Sequence, residues 1–321
     1  MTLSWPTPTL ADITSAQSRI APVAIRSPLI KLDWDEGPGE IYLKLENLQP
    51  IRAFKIRGAY NCTAALHPAE LAHGVWTSSA GNHAQAVAMS ARALDVACTV
   101  YVPVTAPRTK IAHAIRYGAR VVELSVNEWT DIFKNRGYER ATGLFIHPYS
   151  DPNVIAGQAV CGLEIIEDLP DVETIVAPWG GGGLCSGIAS AVSHLAPLVK
   201  VVASEIETGA PLGPSLAAGR PTEVDYHPSF ADGIGGDFVN SEMFDLAQRF
   251  GITAITTTLA ETADAARLLM SRAAIVPEGA AATALAAALK SAGPGKTVVV
   301  ISGGNVDPTT LTTILAGGTP D

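Results

Sequence analysis

The chain alternates short apolar runs with longer segments of helical spacing. "IYLKLEN" (41–47) alternates apolar and polar residues, the period of a half-buried strand. "ACTVYVP" (97–103) is rich in β-forming residues, and "RTKIAHAIRYG" behind it repeats apolar residues at helical intervals. "ARVVEL" (119–124) predicts a strand and "WTDIFKNRGYERA" (129–141) the helix after it. "TIVAPW" (174–179) runs into glycines and then into the helical "LCSGIASAVSHL" (184–195). "VKVVASE" (199–205) and "KTVVVIS" (296–302) are further apolar strands, and "EGAAATALAAALKSAG" (278–293) reads as a buried, tightly packed helix. This rhythm predicts an α/β protein with mostly parallel sheets covered by helices. Two turn-rich places, Gln49-Pro50 and "HPYSDPN" (147–153), divide it. The expected organisation is therefore two-lobed, with residues 1–50 and 151–321 in a large lobe and 51–150 in a small mobile lobe.

Composition narrows the function. With 321 residues, 47% hydrophobic and 17% charged, the chain can bury a large core. A net charge of -9, with no basic run, argues against nucleic acid as a partner. No apolar stretch is long enough to span a bilayer, so no membrane partner is expected. The start, "MTLSWPTPTLADITSAQ", lacks a basic segment followed by an apolar one; a cytoplasmic location is the expectation. The four cysteines form no CxxC pair and the seven histidines no HExxH, so no metal is expected from either.

Three loops follow apolar strands and open helices or turns. "WGGGGLCSG" lets backbone N–H groups approach an anion at a helix N-terminus, which predicts a phosphate site. It does not match the dinucleotide fingerprint, because Cys185 and Ser186 stand where a glycine is required. "GPGKT" (293–297) imitates the end of a Walker loop, but Lys290 occupies its first glycine position and a strand follows it. "TSSAGNHAQAVA" (77–88) and "VVVISGGNVD" (298–307) are small, polar strand ends. Lys55, in "IRAFKIRGAYN" (51–61), is either a solvated lysine in a first helical turn or a chemical group.

Together, "AFKIRGA", "SSAGNHAQ", "GGGGL" and "SGGNVD" resemble, in order and spacing, the threonine/serine dehydratase and serine racemase family. These are pyridoxal-phosphate enzymes of the tryptophan-synthase-β-like fold type II. The resemblance implies pyridoxal 5'-phosphate as cofactor, held by the large lobe, and a homodimer. It implies that Lys55 forms the Schiff base with the cofactor and acts as the base. It further implies that Asn82 meets the cofactor's phenolic oxygen and that Gly180, Gly181, Gly182, Gly183 and Leu184 hold its phosphate. Ser302 would face the ring nitrogen, Glu278 would lie near the cofactor, and Ser79, Ala80, Gly81, Asn82 and His83 would take the substrate carboxylate.

The implied reaction is α,β-elimination from a β-hydroxy amino acid such as L-threonine or L-serine, giving a 2-oxo acid and ammonia. Racemisation of serine, and dehydration of another substrate such as 3-hydroxyaspartate, share nearly every motif. β-Replacement is disfavoured because "SSAGNHAQ" lacks the threonine-rich loop of cysteine synthases. Three departures from the family pattern matter. Ala53 and Arg52 replace the usual serine and the usual glycine or histidine before Phe54. Ala80 stands where serine racemases carry a serine. Some relatives bind a divalent cation at positions corresponding to Glu205, Gly209 and Pro211, and a proline cannot supply a side-chain ligand, so no metal is expected there either.

Overall fold

The computed structural model describes residues 5–106, 108–291 and 293–321; the first four residues of the N-terminal segment considered above lie outside them. In chain order, α1 (Leu10–Ile20), β1 (Leu29–Lys31) and β2 (Glu40–Lys44) precede a 3-10 turn, Glu46–Leu48. Then come α2 (Lys55–Ala64), α3 (Pro68–Leu71), β3 (Val75–Ser78), α4 (Asn82–Ala93), β4 (Cys98–Pro103), α5 (Arg108–Arg116), β5 (Arg120–Leu124), α6 (Val126–Asn135) and β6 (Leu144–Phe145). The remainder is α7 (Pro152–Asp168), β7 (Thr174–Pro178), α8 (Gly183–Leu195), β8 (Lys200–Ile206), α9 (Leu212–Ala218), α10 (Ser241–Arg249), β9 (Thr253–Thr257), α11 (Leu259–Ala273), α12 (Gly279–Ser291), β10 (Lys296–Val300) and α13 (Pro308–Leu315).

Two sheets result, one ordered β1-β2-β10-β7-β8-β9 and the other β5-β4-β3-β6. Among the described strands only β1 and β2 pair antiparallel. β7, β8 and β10 are buried along nearly their whole length, which explains why their sequences are continuous apolar runs rather than alternating ones. The α/β architecture of mostly parallel sheets covered by helices thus follows the predicted rhythm. The helix predicted over 129–141 differs: α6 begins at Val126 and ends at Asn135. Ser125 and Glu128 form a capping box that starts it early, and Arg136, at φ 49°, turns left-handed and stops it. Among the described residues no helix is long and apolar enough to cross a membrane.

α7 sets the spacing of the parts that matter. A Cβ at Gly157 would lie 2.5 Å from the Arg57 carbonyl oxygen, and one at Gly162 would lie 2.9 Å from Ile188 Cα. The glycines therefore bring α7 into backbone contact with α2 on one side and α8 on the other. α2 begins with Lys55 and α8 with the glycine loop. A buried ionic cluster fixes α2 further. Arg57 donates to Glu46 (Nε–Oε2 2.7 Å) and twice to Glu164 (both 2.8 Å), while Lys44 Nζ reaches Glu164 at 2.7 Å. Two cations face two anions, so the charges compensate one another, as buried ions require.

Candidate active site

Lys55 is half-buried at the first position of α2, and its Nζ donates to the Pro148 carbonyl at 2.7 Å. The Phe54 ring lies 5.2 Å from the same nitrogen. Loss of hydration lowers the Lys55 pKa to about 8, with Glu278 pulling the other way. The residues just before Lys55 are stitched to the end of β10. Phe54 N–H donates to the Ser302 carbonyl at 3.0 Å, Ala53 bridges Gly303, and Gly304 N–H donates to the Arg52 carbonyl at 2.9 Å. Arg52 holds φ 58°, a left-handed conformation that costs a non-glycine residue about 1 kcal/mol or more. The Arg52 side chain is exposed.

Asn82 opens α4 and joins the two sheets. Its Nδ2 donates to both carboxylate oxygens of Glu278, at 3.0 and 2.9 Å. Its Oδ1 accepts from Asn305 Nδ2 at 2.8 Å, and Asn305 also donates to the Ile51 carbonyl and, through its backbone N–H, to Glu278. Asn305 was not singled out in the sequence, although it is the last letter of "SGGN"; a polar residue just past the predicted strand end was the available signal.

The glycine loop passes between two aromatic rings. A Cβ at Gly181 would fall 2.1 Å from the Tyr149 ring, and one at Gly182 would fall 2.5 Å from Trp179. Gly182 also holds φ 87°. Gly180 is less confined, 3.3 Å from the Gly233 carbonyl oxygen, and Gly183 would meet Tyr149 at 3.0 Å. Leu184 is buried in the core beside Trp179, and Ser302 is buried at the end of β10. Tyr149 and Pro148, absent from the sequence reading except as part of a turn, thus connect the loop to Lys55. Ser79 Oγ accepts from Gly81 N–H at 3.2 Å, Ala80 is half-buried, and a Cβ at Gly81 would meet nothing within 4 Å. His83 is buried, with its Nε2 3.0 Å from the Ile146 carbonyl oxygen, and burial pushes its pKa down to about 3.

Across the chain, residues 20–304 match the family model described as pyridoxal-phosphate dependent enzyme. The chain belongs to that family. It is 41% identical to an L-threonine ammonia-lyase of Thermotoga maritima over 97% of this chain and 79% of that protein. Among solved structures, a maize serine racemase superposes with a TM-score of 0.87 at 30% identity, covering 97% of this chain and 98% of that one. A threonine deaminase of T.th. superposes with a TM-score of 0.85 at 33% identity, covering 94% and 99%.

The chain's own geometry fits pyridoxal phosphate. α4 and α8 start on Gly81 and Gly182, and neither has a side-chain cap. Their first N–H groups are left for outside acceptors, which suits two anions, a cofactor phosphate and a substrate carboxylate. Glu205, at the position weighed in the sequence as a cation ligand, is held by backbone N–H groups. Glu205 accepts Leu212 N–H at 2.7 Å and Gly213 N–H at 2.9 Å, so its carboxylate is engaged by the start of α9, of which Pro211 is the N-cap. Burial raises its pKa. We expect magnesium, calcium and chelators to change activity less than twofold. Titrating the enzyme with EDTA and then magnesium checks this; a several-fold loss that magnesium restores would mean another residue completes a site.

Proposed function

We propose that this protein is a pyridoxal-phosphate-dependent ammonia-lyase that converts a β-hydroxy amino acid such as L-threonine or L-serine to a 2-oxo acid and ammonia. The observation that carries this reading is the near full-length relationship to L-threonine ammonia-lyases. It is supported by the meeting of Lys55, Asn82, Glu278 and the glycine loop around one place. Bound pyridoxal phosphate supplies an electron sink for bonds broken at the substrate's Cα.

The chain's residues do the rest. Gly180, Gly181, Gly182, Gly183 and Leu184 bind the phosphate through N–H groups at the start of α8. Asn82 and Ser302 orient the ring, with Glu278 behind Asn82. The 79–83 loop takes the substrate carboxylate, for which the space at Gly81 is open. Lys55 holds the cofactor and, once its amine is free, takes the α-proton at Nζ; the poor hydration that lowers its pKa favours the unprotonated amine this step needs. The proton gathered at Nζ would pass to the departing β-hydroxyl, so that water leaves; the enamine that results tautomerises to an imine, which a water molecule hydrolyses to the 2-oxo acid and ammonia. We assign residues 51–150 as a small lobe that closes on the large lobe and excludes water. We also assign a homodimer in the cytoplasm; light scattering of the purified protein checks the dimer.

The test is a panel of L- and D-threonine, L- and D-serine and 3-hydroxyaspartate, scored for both 2-oxo acid and enantiomer exchange. Racemisation requires proton delivery on both faces of Cα. Lys55 serves one face; Ala80 has no exchangeable proton, and Ser79 is one residue away from that position, in the loop assigned to the substrate carboxylate. We expect negligible D-serine from L-serine in deuterated water, and a measurable gain in the Ala80→Ser variant. Substantial D-serine from the unmodified enzyme would overturn the lyase reading in favour of the racemase.

A further inference from the structure

Two buried histidines bond to the backbone on either side of Pro148, whose carbonyl accepts from Lys55. His147 Nδ1 accepts two backbone N–H groups, from Tyr149 at 3.3 Å and from Ser150 at 2.9 Å. A side-chain acceptor bonded two and three residues ahead folds its own segment, as an Asx turn does. Between those bonds sits Pro148, whose carbonyl receives Lys55 Nζ at 2.7 Å. On the other side, His83 Nε2 holds the Ile146 carbonyl at 3.0 Å. The His147 ring is itself fixed edge-on against Phe133, Phe145 and Tyr149. Both donors to Nδ1 are backbone amides, so Nδ1 carries no proton and any ring proton is on Nε2.

We propose that His147 is a positioning residue that folds the segment 147–150 so that the Pro148 carbonyl is the docking point of the free Lys55 amine. This rests on the reading of Lys55 as the proton-carrying residue and specifies where that amine waits. An ammonium in a poorly hydrated site needs an acceptor; the carbonyl supplies one, close to Phe54 and to the end of β10. His147 can do this at any working pH because burial pushes its pKa down to about 2, with Arg136, His83 and Lys55 adding to the effect. The groups facing Lys55 are Glu278 from the start of α12, which favours the ammonium, and the two neutral histidines from α4 and the turn.

The experiment measures Lys55 itself, in cofactor-free protein. The pH dependence of competitive acetylation of Lys55, read by mass spectrometry, gives its pKa without any turnover. In unmodified protein it should lie near 8. His147→Leu fills the ring's volume but has no acceptor, so the turn opens and the ammonium loses its carbonyl; the Lys55 pKa should fall by about one pH unit. His147→Asn places an oxygen close to Nδ1, so it should return most of that shift. Nitrogen-15 NMR of the unmodified protein gives a second measurement, with Nδ1 unprotonated from pH 5 to 9. Equal Lys55 pKa values in the unmodified, Leu and Asn proteins, or a protonated Nδ1, would overturn the proposal. Neither result would touch the lyase reading, which the substrate panel tests separately through 2-oxo acid formation and enantiomer exchange.

Discussion

Lys55→Ala should lower turnover of L-threonine by at least about 10⁴-fold, because one amine both holds the cofactor and moves the proton. The protein's visible absorbance band should vanish with it. Folding should survive, and the cofactor-free variant should be at least as stable at pH 7 as the unmodified protein. The Lys55 pKa is lowered in the folded state, so below about pH 8 the native protein carries the full cost of a poorly hydrated ammonium. That cost is on the order of 2–3 kcal/mol, partly offset by the bond to Pro148, and alanine removes both. As pH rises from about 8 towards 10.5, unfolded lysine still binds a proton that the folded one has released, so the unmodified protein gains stability relative to the variant. Thermal melts of both cofactor-free proteins at pH 7 and pH 10 check the sign. A borohydride-reducible adduct on a peptide without Lys55 would remove it from the assigned role.

How much of this was legible in the sequence depended on whether an element spoke through its own period. β2 alternated, β7, β8 and β10 were apolar runs, and glycine or serine followed closely on β7 and β10, so strands and loops could be placed. α7 was missed, although it holds the site together. Its sequence, "PNVIAGQAVCGLEIIED", is buried on nearly every face, so it shows no amphipathic stripe, and two glycines disguise it. Those glycines are there because α2 and α8 approach to backbone contact, a fact of tertiary packing that no local pattern carries. The site divided in the same way. Lys55, Asn82, Ser302 and the glycine loop were readable from motifs with a known order. Asn305, Tyr149 and Pro148 were not, because their significance lies in what they touch across 91 to 254 residues of chain. Pro148 contributes only a backbone oxygen, to which side-chain chemistry gives no clue.

Gly182→Asp should weaken pyridoxal phosphate binding by well over 100-fold, and a companion Gly182→Ala isolates why. Any Cβ here meets the Trp179 ring at 2.5 Å and forces φ 87° on a residue that resists it. Alanine and aspartate share that steric cost, about 2–4 kcal/mol of cofactor-free stability, seen as a similar fall in melting temperature. Only aspartate adds a negative charge at the start of α8, where the free N–H groups would otherwise face the phosphate. At about 5 Å and an effective dielectric near 20, each unit of phosphate charge opposes it by about 3 kcal/mol before screening. Part of that survives solvent, so aspartate should bind the cofactor roughly 30–200-fold more weakly than alanine does. Equilibrium titration followed by the visible absorbance of bound cofactor measures both variants. Equal affinities in the two would mean that no anion meets this loop, and the phosphate would have to be sought at the start of α4 instead.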